Sequence, residues 1–137
     1  MEASSNAAPS ALAGPRPAPD PSLTAEDILK AAEGLVPLLR ERAVATDRER
    51  RIEPDTYRRL GDAGFFHILK PRKYGGLELS EHEHAKVAMT LARGCASTAW
   101  VFSILSSDNM AVLAYPERVQ EEIWGPTPTR RSRATRT

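Results

Sequence analysis

The sequence predicts an all-α domain, and two kinds of observation lead to this prediction. Apolar residues recur three or four positions apart in several segments, each bounded by a capping residue, a proline or a glycine. Strand-like alternation with a period of two never continues long enough to build a sheet. We therefore expect about five helices in an ordered domain over residues 23–125, between a disordered leader (1–22) and a basic disordered tail (126–137).

The leader is rich in Ala, Pro and Ser, a composition typical of disorder, and it lacks the apolar core of a secretory signal. A membrane span is excluded on length. The strongly apolar residues 99–105 include Ser103 and are followed by four polar residues, so no window approaches the roughly 20 apolar residues that a bilayer requires. We expect a cytoplasmic protein with no membrane segment.

The first helix is predicted from residue 24 to about residue 50. Thr24 and Asp27 have the spacing of a capping box, and Leu and Ile recur at helical intervals after them. Gly34 and Pro37 interrupt the pattern, so we expect a kink near Leu35. The second half of this helix is charged on most faces and should be exposed or form a rim between subunits.

A short second helix is predicted to begin at Pro54, to direct Leu60 inward together with Tyr57, and to stop at Gly64. The following residues, 65–79, mix apolar side chains with one proline and two glycines. That mixture favours an extended segment and a turn.

Three further helices complete the prediction. Ser80 and Glu83 predict a capping box for the third, which Gly94 ends. The fourth begins at Ser97 or Thr98, and the fifth occupies residues 116–124 before a stop at a glycine.

The fourth helix is the most informative part of the chain, because residues 91–110 are too apolar for an ordinary surface helix. Ser103, Ser107 and Asp108 fall at intervals that place them on one side. This pattern predicts a buried helix whose polar stripe faces a partner or a ligand. A lone five-helix unit would leave part of the apolar surface of this helix exposed. We therefore expect the chain to be part of a larger protein.

The net charge of +1 hides an uneven distribution. The last eight residues hold four arginines and no acid, and the rest of the chain carries three more acidic than basic residues. A basic tail can bind nucleic acid, but this one has no aromatic residue to stack on a base. We favour a solvated tail and expect no nucleic-acid partner.

The single cysteine and the three histidines indicate structural roles. Cys95 alone cannot form an intrachain disulfide and is expected to be a small buried side chain. His82 and His84 point about 200° apart on a helix, so they cannot share a metal ion and should be solvated first-turn residues. His67 is expected to be partly buried and hydrogen-bonded.

Three segments carry a resemblance to a known family: DAGFFHILKPRKYGGLELS, LARGCASTAWVFSILSSDNM and YPERVQEEIWG. They resemble the N-terminal helical domain of the acyl-CoA dehydrogenase superfamily. The CxSTAW pattern and the final IWG are similar to the two-component flavin-dependent monooxygenases, whose oxygenase components hydroxylate phenols, steroid-derived phenols, polyketide aromatics or amino sugars. The resemblance implies reduced flavin (FMN or FAD), a small-molecule substrate, a separate flavin reductase and a homo-tetramer in full-length relatives.

The resemblance also implies site residues. The turn at Tyr74, Gly75 and Gly76 matches one near the substrate entrance, where glycines let the backbone approach closely. The fourth helix matches one beside the flavin and substrate pocket, which makes Trp100, with Ser103, Ser107 and Asp108, the candidate pocket residues. An apolar helix with a few hydroxyl groups suits reduced-flavin oxygen chemistry, because that chemistry requires water to be excluded.

Asp108 departs from the family pattern, in which several hydroxylases have a histidine that assists deprotonation of a phenol. An aspartate has a far lower ordinary pKa, so phenol hydroxylation becomes a weaker expectation and an amine-bearing substrate a stronger one. Asp108 is our candidate catalytic residue; the alternative is that it only hydrogen-bonds within its helix.

Three functions stay open from the sequence: a flavin-dependent monooxygenase part, an acyl-CoA dehydrogenase fragment and a non-catalytic helical interaction module. Family members continue with a β-rich domain and a C-terminal helical bundle, whereas this chain ends in PTPTRRSRATRT. The sequence therefore favours a truncated or frameshifted product that is inactive alone and binds flavin weakly or not at all.

Overall fold

Five α-helices and no β-strand make up residues 18–125, the part of the chain that the computed structural model describes. This confirms the predicted all-α class. The helices are α1 (Ala25–Glu49), α2 (Pro54–Asp62), α3 (Glu81–Ala92), α4 (Ala96–Leu113) and α5 (Glu117–Trp124). None of these helices is long and apolar enough to cross a bilayer. The predicted tail and most of the predicted leader lie outside the described residues.

α1 begins with the predicted capping box. The Asp27 backbone N–H donates to the Thr24 hydroxyl, and the Thr24 backbone N–H donates to the Asp27 carboxylate at 2.9 Å. The helix continues without a break through Gly34 and Pro37, both of which are exposed. It ends at Arg50, which adopts the left-handed conformation with a φ of 53°. The kink expected near Leu35 stays a prediction.

The connection between α2 and α3 is more compact than the sequence predicts. Instead of an extended segment, it contains two 3₁₀ turns, Phe65–His67 and Arg72–Tyr74. The His67 carbonyl accepts from the Leu77 N–H at 2.9 Å, which folds the segment back on itself. The prediction of an extended segment was therefore wrong. Gly64, with a φ of 80°, allows the chain to reverse directly after α2.

The core lies where α3 packs between α1 and α4, and the first 3₁₀ turn closes one end of it. Leu60 of α2 is fully buried there as predicted, and Cys95 is buried in the turn that joins α3 to α4. The largest apolar side chains with almost no exposure are Phe65, Phe102, Ile28, Leu39, Ile68, Leu77 and Leu91.

α3 differs from the prediction at its first turn. His82 is exposed as expected, but His84 is half-buried and packs against the Phe102 ring, with ring centroids 5.0 Å apart. The expectation that His84 is solvated was wrong, because His84 shares the inward face of α3 with Val87 and Leu91 at helical spacing.

Candidate functional site

One face of α4 fixes this helix on the core. Phe102 is fully buried and meets the Phe65 ring edge-on, with centroids 5.8 Å apart. The Ser106 hydroxyl donates to the Phe65 carbonyl at 3.2 Å, and the Asn109 side-chain amide donates to the Phe66 carbonyl at 3.2 Å. These bonds satisfy two carbonyl groups of the first 3₁₀ turn and hold α4 at one rotation about its own axis.

The opposite face of α4 is open and holds most of the candidate pocket residues. Trp100 is 69% exposed and Ile104 is 46% exposed. Ser107 and Asp108 both follow about one turn after Ile104, and at about 100° per residue all four lie within roughly a third of the circumference. We call this set, Trp100, Ile104, Ser107 and Asp108, the outer face of α4.

Within the described chain only one side of α4 is covered, so the burial of its other side against a partner or a ligand stays a prediction. The expectation that a lone five-helix unit leaves apolar surface exposed is confirmed. Leu105 and Met110 add to the exposed apolar area, as do Leu113, Tyr115 and Ile123 near the end of α4 and on α5.

The polar candidates on α4 differ in their partners. The Ser107 hydroxyl donates to the Ile104 carbonyl at 3.1 Å, a bond within the helix. Ser103 is half-buried at the edge of the outer face. The Asp108 side chain is exposed and makes no hydrogen bond or ion pair with any other residue that the structure describes. The reading in which Asp108 only hydrogen-bonds within its helix thus has no support in this geometry.

Two glycines follow Tyr74 in this turn, and each is needed for a different reason: Gly75 for its backbone angle and Gly76 for lack of space. Gly75 has a φ of 83°, which a side chain rarely tolerates. At Gly76, a Cβ atom would lie 1.9 Å from the Lys70 carbonyl oxygen, so only glycine fits this close approach. The close approach at Gly76 is made to Lys70 of the same connection, and the role of this turn at a substrate entrance stays a prediction.

Tyr74 faces α5 and not the outer face of α4. Its ring packs on Trp124 with centroids 5.2 Å apart, and the Lys73 ammonium donates to the Glu117 carboxylate at 2.6 Å. This bond lowers the pKa of Glu117 and raises the pKa of Lys73. A cleft of about 550 Å³ lies here, lined by Lys73, Tyr74, Glu121, Trp124 and Gly125. None of the α4 candidates lines it.

The structure thus divides the predicted site into an outer face on α4 and a separate cleft at Tyr74. The sequence reasoning missed the contribution of α5 to that cleft. In the sequence, Trp124 is noted only as part of the final IWG motif. An aromatic residue at the end of an amphipathic helix is nevertheless a signal that the ring packs on another aromatic side chain, here Tyr74.

The family model for the acyl-CoA dehydrogenase N-terminal domain matches residues 28–129. The chain belongs to this family. The matched range contains α2 to α5, most of α1 and every candidate site residue named above.

Among curated proteins, the chain is similar to oxygenase components. It is 38% identical over 107 residues to the flavin-dependent monooxygenase oxygenase subunit HsaA of Mycobacterium tuberculosis. It is 30% identical over 104 residues to the p-hydroxyphenylacetate 3-hydroxylase oxygenase component of Acinetobacter baumannii. A third relative, 31% identical over 113 residues, is the FADH2-dependent resorcinol hydroxylase oxygenase component of a Rhizobium strain.

The fold agrees with a solved structure of this group. The crystal structure of the HsaA monooxygenase from M. tuberculosis matches with a TM-score of 0.72 and 38% identity, over 77% of this chain and 29% of that one. The three curated alignments cover 78%, 76% and 81% of this chain but 27%, 25% and 28% of the respective relatives. The chain therefore spans about a quarter of the length of the relatives it matches.

Proposed function

We propose that this chain is the N-terminal part of a flavin-dependent monooxygenase oxygenase component that hydroxylates an aromatic or amino-sugar type of substrate with reduced flavin and O2. One observation carries the proposal: an apolar helix face with a few polar groups stands open in a chain similar to proteins named as oxygenase components. The outer face of α4 would form one wall of the pocket.

The residues of the outer face suit one side of a reduced flavin, FMN or FAD, which would supply the activation of O2. The exposed indole of Trp100 and the side chain of Ile104 offer apolar surface to a planar ring. The hydroxyl of Ser107 and the carboxylate of Asp108 offer polar contacts beside it, and Asp108 would accept a proton from the substrate or bind its amino group. These groups cover one side of a flavin site and do not enclose the flavin.

Tyr74 with Gly75 and Gly76 would border the substrate entrance on the side of α5. The close backbone packing at Gly76 and the contact of the Tyr74 ring with Trp124 support this border. A separate flavin reductase belongs to the same proposal, because the relatives are named as oxygenase components. Assembly into a homo-tetramer is proposed with it, as the family resemblance of the sequence implies.

The acyl-CoA dehydrogenase alternative has the support of the family match, which does not distinguish the two chemistries. The names of the curated relatives favour hydroxylation over dehydrogenation. The exposed apolar face is equally compatible with a helical interaction module, so activity must decide.

A chimera tests the proposal. Residues 28–125 would replace the matching segment of the M. tuberculosis HsaA subunit, and hydroxylation of that enzyme's own substrate would be measured with reduced flavin. We expect product formation, and we expect Trp100→Ala to lower it at least tenfold while Val44→Ala, at an exposed position on α1, leaves it unchanged. A folded chimera whose turnover is equal with and without Trp100 would contradict the role of the outer face.

The isolated chain should bind flavin weakly or not at all, because the outer face of α4 is a single open wall. Anaerobic titration of the 137-residue protein with reduced and oxidised FMN and FAD, followed by fluorescence, measures this. A complex with a dissociation constant in the micromolar range would show that this prediction is wrong.

A further inference from the structure

A separate cleft lies between the C-terminal turn of α1, the loop that follows it and the first two turns of α4. Its volume is about 190 Å³, several times the roughly 30 Å³ that one water occupies in the liquid. None of its lining residues belongs to the outer face of α4 or to the Tyr74 cleft. Five of them come from the end of α1 and the loop after it, and Ser97 and Val101 come from α4.

Two arginines without ion pairs line this cleft. Arg50 and Arg51 make no salt bridge with another described residue, whereas Arg42, Arg48 and Arg58 all do. Guanidinium groups bind phosphate and carboxylate oxygens through paired hydrogen bonds. Asp47 is the one carboxylate among the lining residues, so the side chains leave a net positive charge.

Thr46 supplies a buried polar group. It is only 8% exposed, it lines the cleft, and its hydroxyl makes no hydrogen bond within the described chain. Two other buried hydroxyls are bonded: Thr90 donates to the Lys86 carbonyl at 2.9 Å, and Ser106 donates to the Phe65 carbonyl. The Thr46 hydroxyl is not one of the fully enclosed atoms without a partner, so it is open to the cleft and can donate to a ligand bound there.

The N-terminus of α4 adds a favourable field. α4 has 18 residues, and Cys95 at its N-cap makes no side-chain capping bond. α1 and α3, in contrast, begin with complete capping boxes. A helix N-terminus carries partial positive charge and favours an anion nearby, and Ser97 in this first turn lines the cleft.

We propose that this cleft binds a phosphate group, either as free inorganic phosphate or as part of a small phosphate ester. Arg50 and Arg51 neutralise its charge, and the hydroxyl groups of Thr46 and Ser97 donate to its oxygens. Ile52 and Val101 give the cleft an apolar side that suits the organic part of an ester. Guanidinium and hydroxyl groups both donate hydrogen bonds to phosphate oxygens.

NMR titration of the full 137-residue chain tests the proposal. The probes are inorganic phosphate and phenyl phosphate, added at constant ionic strength while backbone amide shifts are followed. We expect saturable shifts at residues 50, 51, 97 and 98. The variants Arg50→Gln and Thr46→Val should each weaken binding at least fivefold, and Asp47→Asn should strengthen it.

Arg118→Gln is the matched control, because it removes the same charge from an exposed arginine on α5. Equal weakening by Arg118→Gln and Arg50→Gln, or no saturation with either probe, would overturn the proposal. Tighter binding of phenyl phosphate than of inorganic phosphate assigns the cleft to an ester, and equal binding assigns it to the free anion. Melting curves of each variant separate lost binding from lost folding.

Discussion

Gly76 and Gly34 show how differently two glycines of one chain are constrained. A Cβ at Gly76 would overlap the Lys70 carbonyl oxygen, whereas a Cβ at Gly34 would meet nothing within 4 Å. Gly34 lies inside α1, where glycine has a poor helix propensity. The same substitution should therefore act in opposite directions at the two positions.

We expect Gly76→Ala to lower the free energy of unfolding by about 1–3 kcal/mol, since the backbone must move to accept the methyl group. Gly34→Ala should raise it by about 0.5–1 kcal/mol. Urea denaturation of both variants measures these changes, and equal effects of the two would contradict the structure.

His84 should make stability depend on pH. Burial against Phe102 lowers its pKa, while the nearby Glu81 carboxylate opposes this shift. The folded state therefore holds the neutral imidazole, and the unfolded state takes up a proton as the pH falls through about 6.5. It follows that the free energy of unfolding is highest above this value and decreases as the pH falls below it.

The prediction is tested by denaturation between pH 7.5 and pH 5. His84→Phe keeps a ring against Phe102 and removes the titrating group, so its stability should change less over this range than that of the wild type. His82→Gln, at an exposed histidine two residues away, should follow the wild type. Identical pH profiles for all three proteins would exclude this role of His84.

At the scale of the elements, one carboxylate ties α1 to α2. Asp55 accepts from Arg42 of α1 at 3.0 Å, from Arg59 at 2.8 Å and also from Arg58. These hydrogen bonds, that from Arg59 above all, hold the pKa of Asp55 well below its usual range. Because the network is exposed to solvent, salt should weaken it.

Asp55→Asn should lower the melting temperature at pH 7, and the difference from the wild type should shrink at high salt. It should also shrink as the pH falls below about 3.8, the ordinary pKa of an aspartate, since the carboxylate stabilises the fold only while it is charged. Asp62→Asn, on the same helix, is the matched control: its nearest cation, Arg58, is 3.9 Å away. An equal loss in both variants would count against the Asp55 network.

The sequence predicted those elements whose ends are set by local chemistry. The hydrogen bonds of Thr24 with Asp27 and of Ser80 with Glu83 form within four residues, so their spacing is visible in the chain. The fold of residues 65–79 could not be predicted from local spacing. It depends on hydrogen bonds between residues far apart in the segment, such as the bond from the Leu77 N–H to the His67 carbonyl.

The candidate site was predicted only in part for a similar reason. The apolar excess of α4 was visible, but which side faces the core depends on where Phe65 and Phe66 lie. The burial of His84 and the contact of Tyr74 with Trp124 also depend on packing between elements. Arg50 and Arg51 are exposed, as the charged run predicts, but only the fold brings the first turns of α4 beside them.

For the whole molecule, the open apolar surface should cause self-association of the isolated chain. Trp100→Glu should shift the protein toward the monomer in sedimentation velocity measurements over a range of concentrations, because it places a charge in the middle of the outer face. Val44→Glu is the control, since Val44 is 78% exposed on α1 and outside this surface. A wild-type chain that stays monomeric at high concentration would contradict the prediction.

The hydrogen bonds of Ser106 and Asn109 to the first 3₁₀ turn have a consequence for the tolerance of α4 to substitution. They fix α4 through its inner side alone, so the side chains of Trp100, Ile104 and Asp108 contribute little to holding the helix in place. Substitutions on the outward side should therefore be tolerated without unfolding the domain, whereas substitutions on the inward side should not. A library randomised at these three outward positions should retain a large fraction of folded members.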